Sequence, residues 1–299
     1  MAKVKSANRL STDRATGLEV LRAENLPVLP WLDHGFSTRS GGVSKAYGGH
    51  ALNLGFTDAD TRKAVEQNRA SFLHALTGGE KRSATLVTLK QVHSDTVHLV
   101  ESPPKQPLTG DGLITRSPRL LLAVQTADCL PVLLVDSKQG AVGIFHAGWR
   151  GTLARIVEKG VAAMRLHFGS EPLHLLAAIG PGIHSCCYAV GDEVRDRFAS
   201  QFSYAEELFH KVSESDPVRE KYPLLFLAAR APGHSDFGPK LHLDLVAANR
   251  RQLLDAGLAK HNIWASPLCT ACRTDLLFSH RAEKGKTGRM MAVVGIRNV

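Results

Sequence analysis

The sequence predicts an α/β fold of the α+β kind, in which a mixed, largely antiparallel sheet carries a few helices. Three observations lead there. Short apolar or β-branched runs outnumber helical patterns, and several of them adjoin with only turn residues between. The hydrophobic content, 43% of 299 residues, is ample for one large core. No linker divides the chain, so a single domain over residues 18–299 is expected behind a loose polar tail over 1–17. The strand candidates are His34–Thr38, Thr85–Val92, Thr96–Val100, Leu113–Thr115 and Leu120–Gln125, then Leu130–Val135, Ala141–Phe145, Leu173–Ile179, Leu276–His280 and Met290–Ile296. In Thr152–Phe168 the residues Leu153, Ile156, Val157, Val161, Met164 and Phe168 recur three or four apart, the stripe of one amphipathic helix. Leu243–Ala256 predicts a second helix, started by Asp244 and ended by Gly257, and Arg62–Leu76 and Glu193–Ala199 two more. Glu101–Gly110 and Ala231–Lys240 carry the Pro/Gly chemistry of surface excursions.

Composition narrows the class of function. The longest apolar stretch, Leu120–Val135, is broken by Gln125, Thr126, Asp128 and Pro131, so no membrane span is expected. The basic N-terminal segment has no apolar stretch behind it, which makes the cytoplasm the expected compartment. Five cysteines form an odd set and Cys186 and Cys187 are adjacent, a pattern of thiols or metal ligands rather than of a disulfide framework. Lys+Arg 37 against Asp+Glu 28 leaves a net +9, suited to anionic ligands. With aromatics at 6% and the basic residues spread throughout, a nucleic-acid partner is not expected.

The segment TADCLPVLLVDSKQGAVGIFHAGWRG, Thr126 to Gly151, carries most of the chemistry. Two apolar runs flank the polar insert Asp136–Gly140, the pattern of a β-hairpin, and their lack of alternation predicts burial on both faces. A turn centred on Ser137-Lys138 sets Cys129 opposite His146; a longer loop ending at Gly140 shifts the pairing by two and leaves them diagonal neighbours. Either way a thiol and an imidazole meet at the open end of a buried hairpin, with Asp128 and Trp149–Arg150 close by. Such a pair makes an activated nucleophile or two ligands of a metal such as zinc. Zinc favours a third protein ligand, and His93 of QVHS, just past a predicted strand, is the leading candidate. Singly, each has a plainer role, as a packing histidine or an inert buried thiol.

The chain also carries, in order, HGFSTRSGG (34–42), NLG (53–55), NR (68–69), QVHS (91–94), GDGLIT (110–115), TADCLPVLL (126–134), HAGWRG (146–151), IGPGI (179–183), CCY (186–188), CT (269–270), FSHR (278–281) and GRM (288–290). This set resembles the YfiH-type family, also known as the laccase-domain or polyphenol oxidase family and as peptidoglycan editing factor, from about residue 31 to the C-terminus. The resemblance implies a layered α/β sandwich related to the catalytic domain of cytotoxic necrotising factors, and one zinc held by His93, Cys129 and His146. It implies phosphorolysis of adenosine, inosine, guanosine and methylthioadenosine, deamination of adenosine, and hence a purine nucleoside and phosphate as partners; a monomer is expected. Arg39, in a Gly-rich loop, and Arg150 are candidate phosphate or ribose contacts, and Asn53 of NLG a further substrate contact. Asp128 is a candidate base or ligand-orienting group. His184 stands where the family pattern has a small residue, which bears on the shape of that loop, and His280 where it often has Tyr, which changes the contact made from that position. Cys269-x2-Cys272 has metal or redox spacing but lacks a second such pair. Copper oxidation calls for His-x-His pairs and the sequence has none, so copper is not expected. The alternative is an amidase that edits peptidoglycan precursors, with Cys129 as nucleophile and His146 as its base.

Overall fold

Both faces of the central strands are apolar, and the structure shows what covers each. It is a computed structural model that describes residues 9–12, 16–27, 29–78, 84–212 and 240–297, so all but the last residue of the excursion expected over Ala231–Lys240 lies outside the described residues. The chain forms two compact units, one of 1–184 with 245–299 and the other of 185–244. In the first, one six-stranded sheet runs β1 (Arg9–Thr12), β2 (Glu19–Arg22), β3 (Leu32–Ser37), β18 (Met290–Ile296), β10 (Leu120–Thr126) and β5 (Thr85–Val87). The other runs β17 (Ile263–Ala265), β13 (Leu176–Ile179), β11 (Leu130–Asp136), β12 (Ala141–Ala147), β9 (Gly112–Thr115) and β7 (Val97–Leu99). Within these two sheets only β5, β7 and β17 pair in parallel, so each is mixed and mostly antiparallel, as expected. β1 lies within the stretch expected to be a loose tail. Beside the sheets stand β4 (Ser40–Ser44) and a short parallel pair of β6 (Leu89–Lys90) with β8 (Leu108–Thr109).

Strand alternation divides the side chains between two cores. Leu122 and Val124 of β10 and Ala292 and Val294 of β18 meet Leu133, Val142 and Ile144 of the second sheet in the space between the sheets. Leu121, Ala123 and Val293 point the other way and are covered by Phe72 and Leu76 of α1 (Arg62–Thr77). That helix is started by Thr61, whose hydroxyl accepts the Ala64 amide, and ended by Gly78 at φ 73. On the outer face of the second sheet, Phe145 packs against Gly160 of α3 (Ile156–Phe168), where a Cβ would meet the ring at 2.4 Å. α5 (Leu245–Asp255) joins this layer, its Asn249 and Gln252 bonding Thr152 of α2 (Trp149–Leu153). The result is a helix–sheet–sheet–helix sandwich. The second unit is a three-stranded antiparallel sheet, β14 (Ala189–Val190), β16 (Lys240–Leu243) and β15 (Phe209–Val212), with α4 (Asp192–Ala199) and an aromatic cluster of Phe198, Phe202 and Phe209.

Four local expectations are corrected. The helix expected over Thr152–Phe168 is two, because Arg155 turns to φ 64 between α2 and α3. Thr85–Val92 is broken into β5 and β6, and Leu173–Ile179 opens on a 3₁₀ turn over Pro172–His174 before β13 begins. Leu276–His280 is no strand; its amides close turns, such as Leu277 N–H to Arg273 C=O at 2.8 Å. The hairpin takes the longer loop. The Asp136 carboxylate accepts the Lys138 and Gln139 amides and Gly140 turns at φ 60, which sets Pro131 opposite His146. Cys129 and His146 are therefore diagonal neighbours.

Candidate metal centre

Three elements of the first unit deliver the site. Continuing the hairpin register past its last pair, Leu130 with Ala147, sets Cys129 opposite Gly148. His146 is the last residue but one of the buried strand β12, and its amide donates to Asp111 C=O at 2.7 Å across the sheet. His93 sits on the turn after β6 at φ 59. That turn is pinned by Gln91, whose amide group both donates to Gln125 C=O and accepts Gln125 N–H, each at 2.8 Å. As a result the Cys129 sulfur and one nitrogen of each imidazole lie within 4.8 Å of one another. The His93 and His146 rings stand edge to face, centroids 4.9 Å apart.

A single carboxylate lies behind them. Asp111 is fully buried and accepts the His146 Nδ1–H at 2.8 Å, which leaves Nε2 as the donor atom of that ring. It also accepts the amides of Val92, His93 and Ser94 and the Ser94 hydroxyl. Burial opposes ionisation of Asp111, but the hydrogen bonds from His146 and Ser94 outweigh it and hold the group well below the usual carboxylate range. Burial likewise pushes the Cys129 thiol up, and the charge and hydrogen bonds of His146, with those of His93, overcome it and bring the thiol down. For His146 burial lowers the pKa, while Cys129 and Asp111 raise it above the ordinary histidine value. Each of the two thus favours the charged form of the other, which eases presentation of a thiolate to a cation.

The donor set fits a soft-to-borderline ion: one thiolate, two imidazoles, and a carboxylate orienting one of them. Gly148 adds a second sign of fit, since a Cβ there would come 2.8 Å from the Cys129 sulfur and 3.2 Å from His93 Cδ2.

The other predicted residues have different surroundings. Asp128, at φ 99, is next to Cys129 but its carboxylate is occupied. It accepts the Thr270 hydroxyl at 2.6 Å, the Ser279 hydroxyl at 2.7 Å and the Arg281 amide at 2.6 Å. Its own carbonyl accepts the Ile183 amide at 2.7 Å, so Asp128 ties the 180–183 and 270–281 loops to the ligand strand. Arg39 is spent within the fold on the Thr274, Leu277 and Tyr47 carbonyls and on Glu283, over the Phe278 ring. Asn53 is 0% exposed and bonds Gly55, Asp60 and the Arg289 amide. Arg150 alone of these is exposed, with its guanidinium 4.6 Å over the Trp149 ring and no ion pair among the described residues. Sequence reasoning quoted Asp111, Gln91 and Gly148 only inside motifs. Pairing β9 with β12 would have found Asp111, the carboxylate that enters the sheet directly opposite His146.

Fold and site together are those of a two-sheet α/β sandwich carrying a Cys/His cluster that could hold a metal ion. The sequence profile of the family described as multi-copper polyphenol oxidoreductase laccase matches residues 33–297, and the chain belongs to that family. It is 38% identical over 283 residues to a protein of Deinococcus radiodurans named purine nucleoside phosphorylase, covering 94% of each chain. Over 179 residues, 60% of this chain and 59% of the other, it is 36% identical to the adenosine deaminase RL5 of an unknown prokaryotic organism. Among solved structures, the Bacillus licheniformis protein YfiH superposes with a TM-score of 0.78 at 32% identity, over 96% of this chain and 99% of that one.

Proposed function

We propose that this chain is a zinc-dependent purine nucleoside enzyme. It cleaves adenosine, inosine, guanosine or methylthioadenosine with phosphate, and it also deaminates adenosine. The observation that carries the reading is the convergence of His93, Cys129 and His146 in a chain that aligns along 94% of its length with a relative named for nucleoside phosphorolysis. In phosphorolysis a phosphate oxygen bonds to C1′, the C1′–N bond breaks, and its electron pair leaves with the purine, which takes up a proton. In deamination water adds at C6 and ammonia leaves. His93, Cys129 and His146 would hold the zinc, which would supply Lewis acidity to the reacting group. Arg150, exposed in the first turn of α2 and without an ion pair among the described residues, is the group suited to hold phosphate. Asp128 serves as the tie between loops, since both of its oxygens already accept hydrogen bonds. One thiolate and two imidazoles also suit copper, but multicopper oxidation needs a further cluster of histidines, and the sequence has no His-x-His pair. No helix among the described residues is long and apolar enough to cross a membrane, and the reading is of a cytoplasmic monomer acting on small molecules.

The test is a product assay on metal-replete protein with adenosine, with and without phosphate, beside Cys129→Ala. Phosphate-dependent adenine and phosphate-independent inosine, both lost in the variant, are the expected result. Absence of both products overturns the reading and leaves the amidase, for which a muropeptide substrate and a thiol-alkylating reagent are the next probes.

A further inference from the structure

Metal ligands on three separate elements must be aimed before the ion arrives, and the molecule contains one group that touches two of those elements at once. One oxygen of Asp111 accepts both the His146 Nδ1–H at 2.8 Å and the His93 amide at 3.1 Å. Its other oxygen takes the Val92 amide at 3.2 Å, the Ser94 amide at 2.6 Å and the Ser94 hydroxyl at 2.8 Å. Three successive amides thus wrap around one fully buried carboxylate.

We propose that Asp111 is the positioning residue of the metal centre, a single carboxylate that fixes the ring of His146 and the backbone of His93 in the geometry the ion requires. The inference rests on the metal reading of the site given above. Two consequences follow from its bonds. By accepting from Nδ1, Asp111 selects the His146 tautomer whose Nε2 lone pair faces Cys129 and His93. By gathering the amides on both sides of His93, it holds that residue at φ 59, a conformation that few residues with a Cβ adopt. An amide in its place cannot do both. Asn has one acceptor oxygen; turned toward His146 it opposes its NH2 to the amides of Val92 and Ser94. Turned the other way, its NH2 donates to Nδ1 and moves the ring proton to Nε2, onto the atom that must bind the metal.

The test compares wild type, Asp111→Asn and Ser94→Ala, using Zn2+ and Co2+ alone as probes. Zinc affinity is read by chelator competition, ligand geometry by the visible spectrum of the Co2+ form, and the His146 tautomer by ring nitrogen NMR of the zinc protein. Wild type is expected to bind one ion, with a thiolate-to-cobalt band and a protonated Nδ1 on His146. Asp111→Asn is expected to lose about 10–100-fold in affinity, the range for removing a group that orients a ligand, with a changed cobalt spectrum. Ser94→Ala removes only a hydroxyl donor and keeps the carboxylate. It is expected to fold and to weaken the ion by a smaller factor, which keeps the idea testable if Asp111→Asn does not fold. A wild type that binds neither ion defeats the metal reading and this inference with it. Tight binding by wild type, with affinity and cobalt spectrum unchanged in Asp111→Asn, defeats this inference alone; if that variant does not fold, unchanged affinity in Ser94→Ala does the same.

Discussion

Replacing Gly148 with Ala places one methyl group in the space the site keeps open. The added Cβ would stand 2.8 Å from the Cys129 sulfur and 3.2 Å from His93 Cδ2. Ordinary contacts between such atoms are about 3.5–4.0 Å, so the sulfur must retreat by close to 1 Å or the turn of His93 must open. Overpacking of this size costs roughly 1–3 kcal/mol. When the strain falls on two ligands it appears in metal affinity, where about 1.4 kcal/mol is tenfold, so an affinity loss of about 5–150-fold is expected. The backbone itself adds nothing to that cost, because Gly148 has φ −79 and ψ 175, open to any residue. Gly→Ala at such a site gains about 0.4–1 kcal/mol from the unfolded chain, and loss of Gly at this helix N-cap costs about as much, since Ala is a poorer N-cap. The metal-free protein should therefore melt close to wild type while zinc binding, measured by chelator competition, falls. Zinc affinity within threefold of wild type would refute the reasoning, since it would show that the thiol can move aside without losing the ion.

Three further outcomes are expected. Burial, with the charge of Arg22, lowers the His34 pKa to about 3, so between about pH 3 and 6.5 the unfolded chain binds the additional proton and stability declines as pH falls; denaturant unfolding at pH 5 should show roughly 2 kcal/mol less stability than at pH 7.5, and a His34→Gln variant with the same slope would show that the group is misassigned. Asp128→Asn keeps a residue that tolerates φ 99 but loses acceptor capacity for Thr270, Ser279 and Arg281, so a stability loss of about 1–3 kcal/mol with kcat reduced less than tenfold is expected; a fall of about 10²–10⁴ at unchanged stability would restore it as a base. Arg150→Ala should raise KM for phosphate by about tenfold and leave stability within about 0.5 kcal/mol, and an unchanged phosphate KM in steady-state assays would remove Arg150 from the site.

The parts of this molecule that were legible in its sequence are those whose signal is local. The hairpin from Leu130 to Ala147 shows as two apolar runs about a polar turn, and strand pairing does the rest, so Cys129 and His146 come together with no further information. The register was open by two residues because it depends on the turn. Asp136 folding back on the Lys138 and Gln139 amides, with Gly140 at φ 60, is a choice between loops that spacing alone does not make. Arg39 and Asn53 carried the chemistry of substrate contacts, but their use is decided by distant partners, Glu283 and Thr274 for one and Arg289 for the other. A guanidinium beside glycines looks the same in sequence whether it faces a phosphate or a set of carbonyls. The segment after Ala265 was the least legible. Its turns are held by Asp128, Arg39 and Glu283 rather than by any period, so the apolar run Leu276–Phe278 suggested a strand that does not form.

Burial is graded across the three donors, and the gradient gives the site a direction. His146 is 4% exposed, Cys129 is intermediate and His93 is exposed. Asp111, fully buried, backs the His146 side, and Asp128 anchors the chain on the Cys129 side. Both carboxylates are consumed by protein donors, so neither presents a free negative charge to an approaching anion. His93 is the solvent-facing donor, Val92 beside it in sequence is 47% exposed, and Arg150 is exposed on α2. On the proposed metal reading, an exposed apolar side chain and a cation with no ion pair among the described residues would suit a ligand with a flat aromatic part and a negative co-substrate, the combination that phosphorolysis of a purine nucleoside requires.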